Sequence, residues 1–91
     1  MKTIVITGST RGIGHAMARA FLERGCRVLI NGRSQGSTQA AMKALAEEFQ
    51  GDHLLGVPGD VSDVEQVQQL WDRGVETFGQ IDIWINNAGI S

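Results

Sequence analysis

Four short apolar runs recur along the chain, at residues 3–7 (TIVIT), 27–31 (RVLIN), 53–57 (HLLGV) and 81–86 (IDIWIN), each bounded by glycine or polar turns. Runs of this length, partly β-branched and without strict polar alternation, predict strands covered on both faces. Between them the apolar positions change period. Ile13, Ala16, Met17, Ala20 and Phe21 fall at helical spacing, as do Thr38, Ala41, Met42, Leu45 and Phe49, and then Val64, Val67, Leu70, Trp71, Val75 and Phe78. One helix is therefore expected in each gap. Gly25, Gly51 and Gly79 follow the three helical patterns, where a residue free to take positive φ closes a last turn. Ser62 with Glu65 three residues on reads as a capping box opening the third helix. Trp71 and Trp84, at helix and strand spacings, are expected to pack rather than to stack on a ligand.

Strands and helices alternating at this interval predict an α/β fold with parallel strands and right-handed crossovers, the first βαβαβαβ portion of a doubly wound sheet. Its strand order would be three, two, one, four, with the fourth strand at an edge unless another covers it. Ninety-one residues make at most one domain, with no linker or low-complexity tract to divide it.

Charge narrows the partners. Eight Lys and Arg against ten Asp and Glu give a net charge of -2, and the basic residues are scattered singly. That distribution argues against a nucleic-acid or anionic-membrane surface, and no run approaches the length of a membrane span. The single cysteine, Cys26, excludes an internal disulfide and a four-thiolate metal site and reads as a small packed thiol. His15 and His53 have no metal-ligand spacing, so no metal site is expected. The lone cysteine and the absence of a leader-like stretch after Met1 point to a cytoplasmic setting.

The chemistry concentrates where the first strand meets its helix. Residues 7–14 read TGSTRGIG. A turn of this kind aims unpaired backbone N–H groups and the positive end of a helix dipole at one point, a site for phosphate. Gly8 and Gly12 would serve backbone conformation and close approach, and Gly14 tight helix–strand packing. The spacing G-x-x-x-G-x-G lacks the Lys-Ser/Thr of a Walker loop. Alone, such a turn is compatible with cofactor binding or with a tight strand–helix connection. Ser9 and Thr10 read as loop hydroxyls, since no base is placed to make either a nucleophile. Asp60, after the third strand, is either a hydrogen-bond acceptor for a ligand or a solvated turn acid, and residues 86–89 (NNAG) either line a site or simply end a strand.

Taken together, TGSTRGIG, the GDV of residues 59–61 and the NNAG of residues 86–89 resemble, in order and spacing, the short-chain dehydrogenase/reductase family. The resemblance covers essentially the whole chain. It implies a Rossmann-type sheet and a dinucleotide-binding domain of which residues 1–91 form the N-terminal part, the remainder being absent. It also implies roles. Gly8, Ser9, Thr10, Arg11, Gly12, Ile13 and Gly14 would wrap the pyrophosphate and adenosine ribose. Asp60, with Val61 beside it, would meet the adenine amino group. Asn87, Ala88 and Gly89 would line the ribose side.

The second strand's tip, Asn31 to Ser34, decides the cofactor. A carboxylate there would bind the ribose hydroxyls of NAD(H) and repel a 2′-phosphate. Here Gly32 carries none, and Arg33, followed by Ser34, offers a fork of donors suited to phosphate. Arg11 would approach the same phosphate from the other side in the family's NADP-using members. NADP(H) is thus expected and NAD(H) disfavoured.

The family's catalytic Ser and Tyr-x-x-x-Lys lie on segments after the fourth strand. This chain has no tyrosine, and its only lysines are Lys2 and Lys43. No catalytic residue is assigned. The expectation is the cofactor-binding front portion of an NADP(H)-dependent oxidoreductase acting on carbonyl or alcohol substrates, homo-oligomeric when complete and inactive as these residues alone. The other reading is a stand-alone, non-catalytic nucleotide-binding or interaction module.

Overall fold

A computed structural model describes residues 1–88. The chain forms β1 (Thr3–Ile6), α1 (Gly12–Glu23), β2 (Arg27–Ile30), α2 (Gln35–Ala46), a single 3-10 turn (Gly51–His53), β3 (Leu54–Gly56), α3 (Val64–Phe78) and β4 (Ile83–Ile85). All strand pairs are parallel, in the order β3-β2-β1-β4. The α/β doubly wound expectation is what the chain adopts.

Two-residue alternation along each strand sorts the core into two layers. Ile4, Ile6, Val28, Ile30 and Leu54 meet Ala18 and Leu22 of α1 and Ala41 and Leu45 of α2. Val5 and Leu29 point to the other face, against Leu70 and Phe78 of α3. The helices flank the sheet, so β1 and β2 are buried on both faces. Cys26 is a free thiol, half-buried at the edge of the first layer.

Local ends depart from expectation in instructive ways. The strands are shorter than their apolar runs because the tip residues turn to side-chain bonding; Thr7 and Asn31 lie just past β1 and β2. Gly25 and Gly79 take positive φ after α1 and α3, as expected. Gly51 does not close α2. That helix ends at Ala46, and Gly51 opens the 3-10 turn that contains His53, so Phe49 packs on the core from beyond the helix. The cap of α3 is Asp63 rather than Ser62: its Oδ1 accepts from the Glu65 N–H at 2.9 Å. Ser62 is drawn away because its own N–H and hydroxyl both donate to Asp60 Oδ1, at 2.9 and 2.8 Å. Trp71 is not a core residue either. It is 44% exposed and packs on half-buried Trp84, ring centroids 6.3 Å apart, beside β4.

Candidate cofactor site

The carboxyl ends of the parallel strands deliver three loops to one place, the crevice where open α/β sheets bind ligands. The β1–α1 loop is shaped by Gly8 and Gly12 at φ +60° and +63°. A Cβ on Gly8 would lie 2.8 Å from Ala88 Cα, so only glycine lets this loop touch the β4 tip. One on Gly14 would lie 2.5 Å from both Gly8 O and Asn87 Nδ2. The tight approach expected of Gly14 is therefore to the loop itself and to Asn87.

Hydroxyls and one amide lock the loop. Ser9 is fully buried; its Oγ donates to Ile6 O at 2.7 Å and accepts from the Asn31 N–H at 2.9 Å. Asn31, 2% exposed, accepts the Gly8 N–H on Oδ1 at 3.1 Å. Its Nδ2 donates to Val57 O at 3.1 Å and Gly59 O at 3.2 Å. One side chain thus ties the β1–α1 and β3–α3 loops to the β2 tip. A buried amide with both ends satisfied rigidifies what it joins.

Thr7, to which the sequence pattern assigned no role, does the same for β4. Its Oγ1 accepts from the N–H groups of Asn87 and Ala88, at 3.0 and 3.1 Å, while Asn87 Nδ2 donates to Gly8 O at 2.9 Å. A threonine at a strand tip directly ahead of a glycine turn was the available signal. Ser62, expected only as a helix cap, instead makes two bonds to Asp60 that form a turn legible in the Asp-x-Ser spacing.

These loops enclose an open cavity of about 360 Å³ lined by Gly8, Asn31, Arg33, Gly59, Asp60, Val61, Ser62 and Ala88. Six of the expected site residues meet there. Others stand around it. Arg11, Gly12 and Ile13 are exposed at the head of α1, where Arg11 provides no side-chain cap for the first-turn N–H groups. Thr10 lies against Gly32, and Ser34 caps α2 by accepting the Ser37 N–H at 3.1 Å. Ser9, Gly14 and Asn87 support the loop from beneath. Gly89 lies outside the described residues.

Electrostatically the cavity has two signs. Arg33, its side chain 85% exposed, reaches across to Asp60, Nη2 to Oδ2 3.5 Å. The Ser62 backbone N–H, then its hydroxyl, and then the Arg33 charge hold the Asp60 carboxyl below its ordinary range. Asp60 is thus an anionic acceptor at neutral pH, and Arg33 is an exposed donor at the rim of the cavity. A second hollow, about 230 Å³, lies between Val67, Gln68, Trp71 and Trp84, away from all three loops. Among the described residues no group of three or more His, Cys, Asp or Glu could hold a metal ion, and no helix is long and apolar enough to cross a membrane.

Known proteins resemble this chain in sequence and in fold. The chlorophyll(ide) b reductase NOL of Arabidopsis thaliana, described as chloroplastic, is 46% identical over 86 residues, 94% of this chain and 24% of that protein. The 3beta-hydroxysteroid dehydrogenase 1 of Eggerthella lenta is 43% identical over 90 residues, 98% of this chain and 34% of that protein. A crystal structure of the actinorhodin polyketide ketoreductase with NADPH superposes with a TM-score of 0.89 at 31% identity, covering 97% of this chain and 33% of that one. The chain therefore spans between about a quarter and a third of the length of these relatives. The family model for short chain dehydrogenases matches residues 2–91, and on that match, with the sheet order and glycine turn that accompany it, this chain belongs to the short-chain dehydrogenase family.

Proposed function

We propose that these residues bind the adenosine-pyrophosphate end of NADP(H) for an oxidoreductase that interconverts carbonyl and alcohol groups. The observation that carries the reading is the β2 tip: Gly32 presents no carboxylate, and Arg33 stands beside it at the rim of the cavity. The residues fit such a group. The uncapped head of α1 offers first-turn N–H groups to a pyrophosphate. Arg33, with Arg11 and Ser34, would hold a 2′-phosphate; Asp60 and Val61 would meet the adenine; Asn87, Ala88 and Gly89 would line the ribose side. When bound, NADPH supplies the hydride. This chain's residues bind and orient; the hydrogen bonds of Thr7, Asn31 and Ser9 hold the loops in place.

Neither lysine is placed for proton transfer at this site. Lys2 precedes β1, at the end of the sheet away from the loops, and Lys43 is exposed on α2. With no tyrosine in the sequence and neither lysine at the loops, the family's general acid is not among these residues, and residues 1–91 alone are expected to turn over no substrate.

Calorimetric titration with NADPH and NADH tests the reading. A charge-assisted arginine–phosphate contact is worth about 1.5–3 kcal/mol, so NADPH should bind roughly tenfold to a hundredfold more tightly. Arg33→Ala should remove most of that preference. Equal affinities in the unmutated protein would overturn it.

A further inference from the structure

Gly32 is a glycine for a reason its backbone does not supply. Positive φ among the described glycines is confined to Gly8, Gly12, Gly25 and Gly79, so the conformation at Gly32 is open to other residues. Space is what forbids them. A Cβ built on Gly32 would lie 2.5 Å from Thr10 Cγ2, 2.9 Å from Thr38 Oγ1 and 3.0 Å from Ser37 Oγ.

The three neighbours are not equally able to move. Thr38 is 2% exposed and its hydroxyl donates to Ser34 O at 2.8 Å. Ser37 is held at the α2 cap by its N–H to Ser34 Oγ and its hydroxyl to Ser34 O, at 3.1 and 3.2 Å. Both belong to the first turn of α2, and at 2.9 and 3.0 Å their approaches ask for a far smaller retreat than the 2.5 Å approach of Thr10. Thr10 comes from the other side, on the β1–α1 loop, half-buried, and it makes the nearest approach through a methyl group. Removing that methyl disturbs no hydrogen bond.

We infer that Thr10 is a specificity-determining residue: its methyl fills the space that a side chain at position 32 needs, and so keeps the β2 tip free of a carboxylate. The inference rests on the NADP(H) reading and deepens it. Cofactor choice then belongs to the Thr10–Gly32 pair, with Arg33 as the attractive partner. Gly32→Asp alone does not yield an NAD(H) site, because its Cβ runs into the Thr10 methyl at 2.5 Å, the tightest of the three contacts. Thr10→Ser with Gly32→Asp does, since the carboxylate can then reach the ribose hydroxyls.

The test has a cofactor-free arm and a cofactor arm. In the first, thermal midpoints are measured for the unmutated protein, Thr10→Ser, Gly32→Ala and the double variant. Gly32→Ala adds only the Cβ and should lower the midpoint by roughly 4–8 °C, the cost of modest overpacking. Thr10→Ser alone should shift it little, and the double variant should recover at least half of the loss. Additive losses would overturn the proposal. In the second arm, NADPH and NADH affinities are measured by calorimetry. Gly32→Asp should weaken both cofactors at least tenfold, whereas Thr10→Ser/Gly32→Asp should bind NADH the more tightly. A double variant that still prefers NADPH would overturn the specificity role. If the unmutated protein binds the two cofactors equally while the stability coupling holds, the NADP(H) reading fails and the packing relation stands without it. Gly32→Ala keeps the first arm decisive should Gly32→Asp not fold.

Discussion

β2 and β4 are written in nearly the same alphabet, Arg-Val-Leu-Ile against Ile-Trp-Ile, and both pair in parallel with β1. Yet Val28, Leu29 and Ile30 are fully buried, whereas Ile83 is 37% exposed and Trp84 and Ile85 are half-buried. The difference is position in the sheet. β2 has a strand on either side and helices on both faces; β4 has β1 on one edge, no described strand on the other, and only the far side of α3 nearby, where Trp71 and Val75 are also exposed. Apolar composition specifies what a strand can bury, and its neighbours decide what it does bury. An apolar edge with unpaired N–H and C=O groups also invites association.

The same substitution on the two strands should give unlike costs. Leu29→Ala removes side-chain atoms from a sealed site and should destabilise by about 2–5 kcal/mol. Ile83→Ala should cost less, about 1–2 kcal/mol, because water already reaches part of that side chain. Denaturant unfolding of both variants measures the contrast, and equal losses would break the comparison.

Gly14→Val probes the loop that joins the two regions. The branched side chain cannot fit beside Gly8 O and Asn87 Nδ2, so it should push the β4 tip off the β1–α1 loop. NADPH affinity should fall by more than about a hundredfold, which is roughly 2.7 kcal/mol. Unchanged affinity in a variant folded by circular dichroism would mean that the glycine turn is not the pyrophosphate site.

The smallest effect sharpens how β4 is attached. Beyond its ladder with β1, Asp82 accepts the Thr3 N–H on Oδ2 at 2.7 Å. That bond, then the Gln80 amide and the nearby Lys2 and Arg27 charges, hold the Asp82 carboxyl below its ordinary range. A depressed folded-state value means that the stabilisation is fully present above the ordinary carboxylate pKa near about 4 and is lost as pH falls through the folded value. Asp82→Asn should therefore flatten the acid limb of a stability–pH profile below about pH 5 while leaving the neutral region parallel. Asp60 has the same sign of shift and remains in both proteins, so only the tether at β4 is subtracted. Superimposable profiles would show that the carboxylate does not hold the strand.

Much of this molecule was readable along the chain because the signals are local. Period-two and period-3.6 patterns separate strands from helices, and alternation of the two at short range leaves parallel pairing as the economical topology. The TGSTRGIG turn, Asp60 and the residue pair Gly32-Arg33 could be placed near one another once the strands were parallel, since each follows a strand's carboxyl end. Competition within a few residues was harder: Asp60 captures Ser62, so Asp63 caps α3.

The remaining contacts join partners far apart in sequence. Nothing in the string RVLIN tells that Asn31 bonds Gly8, Val57 and Gly59, 23 to 28 residues away, because an amide's partners depend on which loops the fold brings within hydrogen-bonding reach. The exposure of Trp71 follows from what flanks β4, although its helical spacing matches that of buried Leu70 and Phe78. Gly32 is the sharpest case. The absence of a carboxylate at the β2 tip is legible in the residues; that a methyl from Thr10, 22 positions earlier, crowds that position is a matter of close packing between a loop and a helix cap. Local physics chooses the elements, and the excluded volume between them decides which side chains each position can carry.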